Sequence, residues 1–519
     1  MGAKNSKEQI NEDLLELGKK ESKDLKDLKD LSFEKTESEG GQSINEANNF
    51  IYKSNNPDPK KDYDIIKCLK KGAYSDIYLV ENKLSKLRCI MKSTTKTKSF
   101  SKNEEDILNN ELKILSLLDH PNIIKVFSFY SNEDSYSYMA EYCEEGDLNE
   151  QLLNKGAYDE KTAAYIMHQI FSAINYCHKN KIINRELVVE NILVSEIKND
   201  LPTVKIGYFG TSYLAKKNAI KIKRNTNLYY IPPEANTSFD KYFDKSDIWS
   251  CGVIMYFLLA ARPPFAGENE EEKQRNIFNE NYDINSPPFD KVSLECKKLL
   301  KLLLKSNPIE RPSAEEVLKD LWFVKMGSKS LFYNINRNSI IENLIDNIKN
   351  YKNVSIFQKY AISYLIHNFP QVNDVKNSAK LFYMIDSDGD GKITKEELYK
   401  GLNETLMHKI QKKEFDELFS NLDLNNSGFI DYEEFVAAAV NKNIFMRENI
   451  LSMAFKFFDK DDSGEITIDE IEMMFKEAVK DGKTDVHQAL KKITEEVDLN
   501  IDGKINFEEF TKFMKQLIK

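Results

Sequence analysis

Asp386-Ser387-Asp388-Gly389-Asp390-Gly391-Lys392-Ile393-Thr394-Lys395-Glu396-Glu397 places side-chain oxygens at Asp386, Asp388, Asp390 and Glu397 within one short run. The carbonyl of Lys392 adds a backbone oxygen, and Gly391 permits the sharp turn between them. Calcium needs many hard oxygens around one point and a bidentate carboxylate to close the shell, and this spacing supplies both. The register recurs at Asp423, Asn425, Ser427, Gly428, the Phe429 carbonyl and Glu434. It recurs again at Asp459, Asp461, Ser463, Gly464, the Glu465 carbonyl and Glu470, and at Asp498, Asn500, Asp502, Gly503, the Lys504 carbonyl and Glu509. Each run also carries an isoleucine at the same place, Ile393, Ile430, Ile466 and Ile505, suited to a short strand pairing that couples two loops. Four such runs at nearly even spacing predict two pairs of calcium loops, hence two lobes.

These runs resemble EF-hands, and the two pairs together resemble calmodulin, which implies an all-α calcium module with Ca2+ as its ligand. The second loop is the weakest of the four, because neutral Asn425 and Ser427 stand where carboxylates would bind more tightly.

Composition narrows the setting. At 519 residues the chain is too long for one ordinary core. A net charge of -10 with 30% charged residues argues against a nucleic-acid binder relying on a basic surface. The six cysteines occur singly, without a C-x-x-C pair, which suits a reduced, cytoplasmic setting. The apolar run Cys251–Ala261 ends at Arg262, too short for a membrane span. Met1-Gly2-Ala3-Lys4-Asn5-Ser6 fits N-myristoylation of Gly2, which by itself gives only marginal, peripheral membrane association.

Upstream of the calcium loops a second pattern runs. Leu118-Asp119-His120-Pro121-Asn122-Ile123, Pro232-Pro233-Glu234, Asp247-Ile248-Trp249-Ser250-Cys251-Gly252-Val253 and Arg311-Pro312 stand in the order found in Ser/Thr protein kinases. Joined to the four calcium loops and a glycine at position two, the chain resembles a calcium-dependent protein kinase of the plant and protist type. The resemblance implies an α+β class: a bilobal protein-kinase fold followed by the calmodulin-like EF-hand domain. It implies these boundaries: a polar, low-complexity extension over 1–62, a kinase-like domain over 63–323, a junction over 324–372, and EF-hand pairs over 373–442 and 443–519.

The resemblance assigns roles residue by residue, and several positions depart from it. Lys92 falls where the α/β-phosphates of ATP are held and Glu111 where its ion-pair partner stands. Gly72 and Ile77 fall in the phosphate-covering loop, which keeps only its middle glycine; Ser75 replaces another. Glu141 and Cys143 fall where adenine is bound, Ile90 adds bulk where a small residue lines that site, and Ala140 leaves space behind it. The catalytic loop reads Asn184-Arg185-Glu186-Leu187-Val188-Val189-Glu190-Asn191, and Tyr208-Phe209-Gly210 stands where Asp-Phe-Gly is expected. Glu186 is a displaced base, since one extra methylene moves its carboxylate by roughly an ångström and misplacement on that scale can cost about a hundredfold. Val188 lacks the charge that would neutralise the moving phosphoryl group. Asn191 remains as one magnesium ligand, while Tyr208 removes the principal one.

Three functions follow. The first is a calcium-responsive pseudokinase that regulates a protein partner through movement of its EF-hand module. The second is an active or weakly active Ser/Thr kinase that uses ATP and Mg2+ on a protein substrate, with Glu186 as base and Asn191 holding metal. The third is a calcium buffer. Within the junction, Ile341, Leu344, Ile348, Phe357, Tyr360, Ile362, Leu365 and Ile366, interspersed with Lys349, Lys352 and Lys359, predict an amphipathic helix gripped by an opened acidic lobe.

Overall fold

The computed structural model describes residues 52–53, 58–72, 75–96, 102–214, 228–236, 243–327, 346–348, 350–351, 354–405, 411–423, 427–471 and 497–518. Gly2, Asn425, Ile341, Leu344 and the side chains of Lys349 and Lys352 lie outside them. Among the described residues no helix is long and apolar enough to cross a membrane.

Strands β1 (Tyr52–Lys53), β2 (Tyr63–Lys70), β3 (Ser75–Asn82), β4 (Arg88–Thr95), β5 (Val126–Ser131) and β6 (Ser135–Glu141) form one sheet in the order β1-β5-β6-β4-β3-β2. Only β1 runs parallel to its neighbour. Alternation along β4 buries Cys89 and Met91 while turning Ile90 and Lys92 to the opposite face. Helix α1 (Lys102–Leu117) brings Glu111 to that second face.

The larger lobe is built on two helices, α3 (Glu160–Lys179) and α4 (Phe243–Ala260), which follow the short α2 (Leu148–Lys155). Asp159 caps α3 by accepting from the Thr162 backbone amide. α3 and α4 are buried along most of their length; α4 is apolar nearly all round, as suits a core helix, while α3 buries Gln169 and Asn175 with hydrogen-bond partners. Strand β7 (Ile182–Ile183) pairs with β10 (Tyr213–Leu214) across the catalytic loop, and β8 (Ile192–Lys198) forms a hairpin with β9 (Leu201–Ile206). Helices α5 (Glu270–Phe278), α6 (Leu294–Leu303), α7 (Ala314–Leu318) and α8 (Leu321–Met326) complete the lobe. Arg311, fully buried, clamps both oxygens of Glu234 at 2.7 and 2.8 Å, a bidentate geometry that compensates its desolvation.

The last third begins with helix α9 (Ile356–Asn368), started by a capping box between Ser355 and Gln358. Helices α10 (Asn373–Ile385), α11 (Lys395–Thr405), α12 (Lys412–Leu422), α13 (Tyr432–Ala439), α14 (Glu448–Phe458) and α15 (Phe507–Met514) flank the calcium loops. Strand β11 (Lys392–Thr394) pairs with β12 (Phe429–Asp431), and β13 (Glu465–Thr467) with β14 (Lys504–Asn506). Ile393 stands opposite Ile430 and Ile466 opposite Ile505. The α+β class read from the sequence is the class observed.

Helix α9 departs from the amphipathic expectation. Phe357, Ala361, Ile362, Leu365 and Ile366 are buried, and so are the polar Gln358, Ser363, His367 and Asn368. The cause is enclosure on every side. Phe357 packs edge-on to Phe458 and Phe510 of the second pair, and Tyr364 stacks on Phe457 at 4.1 Å. His367 faces Glu433 of the first pair and donates to the Val126 carbonyl of the kinase-like sheet at 2.8 Å. Lys359, one of the basic residues of that pattern, lies over the Tyr351 ring, and burial pulls its ammonium below the usual lysine range.

A charge hub joins the calcium module to the kinase-like frame. Lys125 bonds Asp119 and, at 2.8 Å, Glu433; Asp119 accepts from the Glu433 backbone amide, and His367 binds the same Glu433 oxygen. Burial raises both carboxylates, but Lys125 and the contact with His367 together hold Glu433 below its ordinary range on balance. Asp119 shares only Lys125, and stays above its own.

Candidate functional site

Lys92 projects from β4 into the cleft between the lobes, where its ammonium bonds Glu111 at 2.8 Å. Burial pulls Lys92 down, yet the Glu111 carboxylate outweighs it and the net shift is upward. Two phenol rings flank the same ammonium, Tyr138 at 5.4 Å and Tyr208 at 5.0 Å from the ring centroids. Both lie within cation–π range. Sequence spacing located Tyr208 and Lys92 separately; that the substituted ring lies over Lys92 emerges only from the fold.

The turn between β2 and β3 is closed by local contacts. Ser75 turns its hydroxyl to Thr94 at 2.7 Å, and the Gly72 amide is engaged by Asp76 at 3.3 Å. Gly72 has no room for a side chain, since a Cβ there would meet the Ser75 carbonyl oxygen at 2.5 Å. Ile77 sits opposite Lys92 in the ladder. Behind the cleft, Glu141 is buried and paired with Lys205 at 2.9 Å, and Cys143 is buried with its thiol pushed far above the ordinary range by desolvation. The side chains of Glu141 and Cys143 are thus both turned into the protein.

The catalytic loop is held as a frame around Asp247. Its carboxylate accepts from the amides of Asn184 and Arg185 at 2.9 and 2.8 Å and pairs with His178 at 2.9 Å. Arg185 takes a left-handed φ of 71°, a conformation that persists only where surroundings impose it. Asn184, fully buried, satisfies its amide by donating to the Tyr208 carbonyl at 2.9 Å and accepting from the Glu186 amide at 3.1 Å. The polar replacement thus costs little structurally. Asn191 donates to the Glu186 carbonyl at 2.9 Å. Val188 is buried. Burial, then the nearby Glu111, push the Tyr208 phenol up to about 12. The two groups standing where magnesium is expected, a neutral phenol and a neutral amide, do not supply the anionic oxygens that ion favours.

The calcium loops fit their ion. Carboxylate oxygens of Asp386, Asp388 and Asp390 lie within 4.8 Å of one another, as do those of Asp459, Asp461 and Glu470. Burial and then Asp390 raise Asp386 well above the carboxylate range, while burial and then Asp388 lift Asp390 to about 6. Crowded anions of this kind call for a cation. Glu397 is pre-set, its two oxygens accepting from Ser387 and Thr394 at 2.8–2.9 Å. Glu434, Glu470 and Glu509 lie at equivalent places, each accepting from the amide three residues before it. Asp423, Ser427 and Phe429 are positioned alike in the second loop. In the fourth, Asp498, Asn500 and Asp502 hold the backbone turn and Lys504 follows it. Glu397→Gln is expected to abolish one calcium site, read as one calcium fewer by calorimetry; unchanged stoichiometry and affinity would remove Asp386–Glu397 from the calcium set.

Comparison with known proteins agrees with this anatomy. A protein kinase domain model matches residues 63–323, and an EF-hand domain pair matches 376–440 and again 448–515. Calcium-dependent protein kinase 4 of Plasmodium berghei is 32% identical over 468 residues, covering 88% of this chain and 86% of that protein. Calcium-dependent protein kinase 3 of the same organism is 34% identical, covering 86% and 79%, and calcium-dependent protein kinase 33 of Arabidopsis thaliana is 31% identical, covering 88% and 85%. With a kinase domain, two EF-hand pairs and relatives that align along most of both chains, this protein belongs to the calcium-dependent protein kinase family.

Proposed function

We propose that this chain is a calcium-responsive pseudokinase, in which the EF-hand module reads calcium and the kinase-like frame presents a surface to a protein partner. The observation that carries the reading is the Tyr208 ring over Lys92 at 5.0 Å, which sets an aromatic face where the family places a metal-binding carboxylate. Val188 and Glu186 weaken two further steps, charge neutralisation and proton removal. The EF-hand module is tied to the frame through α9 and the Lys125 hub, so a change in calcium occupancy acts on the surface that the whole chain presents. If Gly2 is acylated, the signal adds only a weak peripheral attachment to membranes.

Binding of ATP measured with and without magnesium tests the proposal. The expected result is weak binding with little dependence on the metal; tight magnesium-dependent binding overturns it. In Tyr208→Asp a carboxylate replaces the phenol, and magnesium-dependent nucleotide affinity is expected to rise by about tenfold or more while phosphotransfer stays low. Restoration of ordinary turnover by this single change would show that Val188 and Glu186 are tolerated.

A weakly active kinase is the second reading, favoured by the Lys92–Glu111 pair, which keeps a 2.8 Å geometry suited to phosphate binding. A calcium-dependent phosphotransfer signal that disappears in Lys92→Met would establish it. Under the calcium-buffer reading, calcium would leave the exposure of apolar surface nearly unchanged.

A further inference from the structure

The first calcium loop differs from the others in what lies against it. Its carbonyls at Asp388 and Gly389 both accept from the Asn175 side-chain amide of α3, at 3.2 and 3.1 Å. In an EF-hand the backbone ligand comes from the seventh position, here Lys392, so these two carbonyls are not needed by the ion and can be held from outside. Asn175 is 3% exposed, and its amide is committed to this contact across the boundary between kinase-like frame and calcium module.

The turn glycines repeat the pattern. A Cβ at Gly391 would lie 2.3 Å from the Tyr176 ring, and one at Gly389 would lie 2.7 Å from Leu318. At Gly428, Gly464 and Gly503, the glycines that match Gly391 in the other loops, nothing among the described residues lies within 4 Å. Both Gly389 and Gly391 have left-handed φ, 67° and 79°, so the frame grips the loop where its backbone is most demanding.

We propose that Asn175, with Tyr176 and Leu318, is a positioning residue for calcium: the kinase-like frame raises the affinity of the first loop by holding its turn in the binding conformation. The physical basis is preorganisation: pre-forming the turn lowers the ordering cost when the ion arrives. Reciprocity then requires that calcium in this loop tighten the docking by the same factor. The first loop in this way reports its occupancy to the frame through its turn, a route separate from the Glu433 hub beside the second loop.

The inference rests on the first loop being a calcium site, and the test separates the two. Calcium binding is measured by calorimetry on the full chain for wild type, Asn175→Leu, Asn175→Ser, Glu397→Gln, and Asn175→Leu combined with Glu397→Gln, with thermal melts to verify folding. The expected result is that Asn175→Leu and Asn175→Ser each weaken one calcium site by about tenfold, within the usual span of coupling between sites, and leave the others unchanged. In the Glu397→Gln background, Asn175→Leu should change nothing further. If Glu397→Gln has no effect, the first loop is not a calcium site. If Glu397→Gln removes a site but a folded Asn175 variant binds as wild type does, the loop takes calcium without help from the frame and the proposal is overturned. Weakening spread equally over all sites overturns it too, since that marks general destabilisation. Should Asn175→Leu fail to fold, the smaller and still polar Asn175→Ser decides the matter.

Discussion

Purified full-length protein given ATP, magnesium and a Ser/Thr peptide at saturating calcium is expected to transfer phosphate at least about 10⁴-fold more slowly than the 1–100 per second of ordinary kinases. The factor follows from two independent losses. Lengthening the base at Glu186 by one methylene costs about 10², and replacing a charge-neutralising lysine by buried Val188 costs about 10²–10³. The phenol at Tyr208 adds a loss of metal affinity that these factors do not include, because its hydroxyl stays protonated and its ring faces Lys92. A discontinuous radiometric assay reaches the required sensitivity. Turnover within the ordinary range would overturn the pseudokinase reading. Val188→Lys and Glu186→Asp, measured singly and together with Tyr208→Asp, test the independence of those losses, since residues acting as a unit give strongly non-additive effects. Recovery is expected to be largest for the triple change.

Lys125→Met is expected to have the largest effect on how the calcium module sits. The buried ammonium bonds Asp119 and Glu433 and lies 5.5 Å from the Tyr432 ring centroid. Methionine fills similar volume but leaves two buried carboxylates facing each other with only His367 to offset them. Breaking one partner of a buried ionic cluster costs about 3–5 kcal/mol, which is more than two orders of magnitude in the ratio of docked to undocked forms. Labelled-distance measurements between the frame and the first EF-hand pair should show the undocked population rising. Adding Glu433→Gln to Lys125→Met should recover part of the loss, because it removes one of the stranded charges. If Lys125→Met leaves the distance distribution unchanged, the hub does not hold the module.

The calcium loops were legible almost entirely in local sequence. Their ligands are contiguous, the turn glycine stands at fixed spacing, and the isoleucines at the eighth position pair as that spacing implied, Ile393 with Ile430 and Ile466 with Ile505. The altered kinase residues were equally plain, since each substitution is visible at its motif. The character of α9 was not. Its mixture of apolar and basic residues suggested one wet face, yet Gln358 and His367 are buried because surrounding elements close over them and supply hydrogen-bond partners, while buried Asn368 donates back to the Tyr364 carbonyl of its own helix.

What the sequence determined by itself was therefore chemistry carried by near neighbours: four oxygen-rich turns, the kinase order of motifs, and the replacements at Tyr208, Val188 and Glu186. What only the tertiary structure decided was which distant groups meet. Asn175 stands more than two hundred positions before the carbonyls it holds, and Lys125 some three hundred before Glu433. Neither has a periodicity or motif to announce it. Such contacts arise where two separately folded surfaces are pressed together, and a buried polar group there is tolerated only when the opposite surface satisfies it.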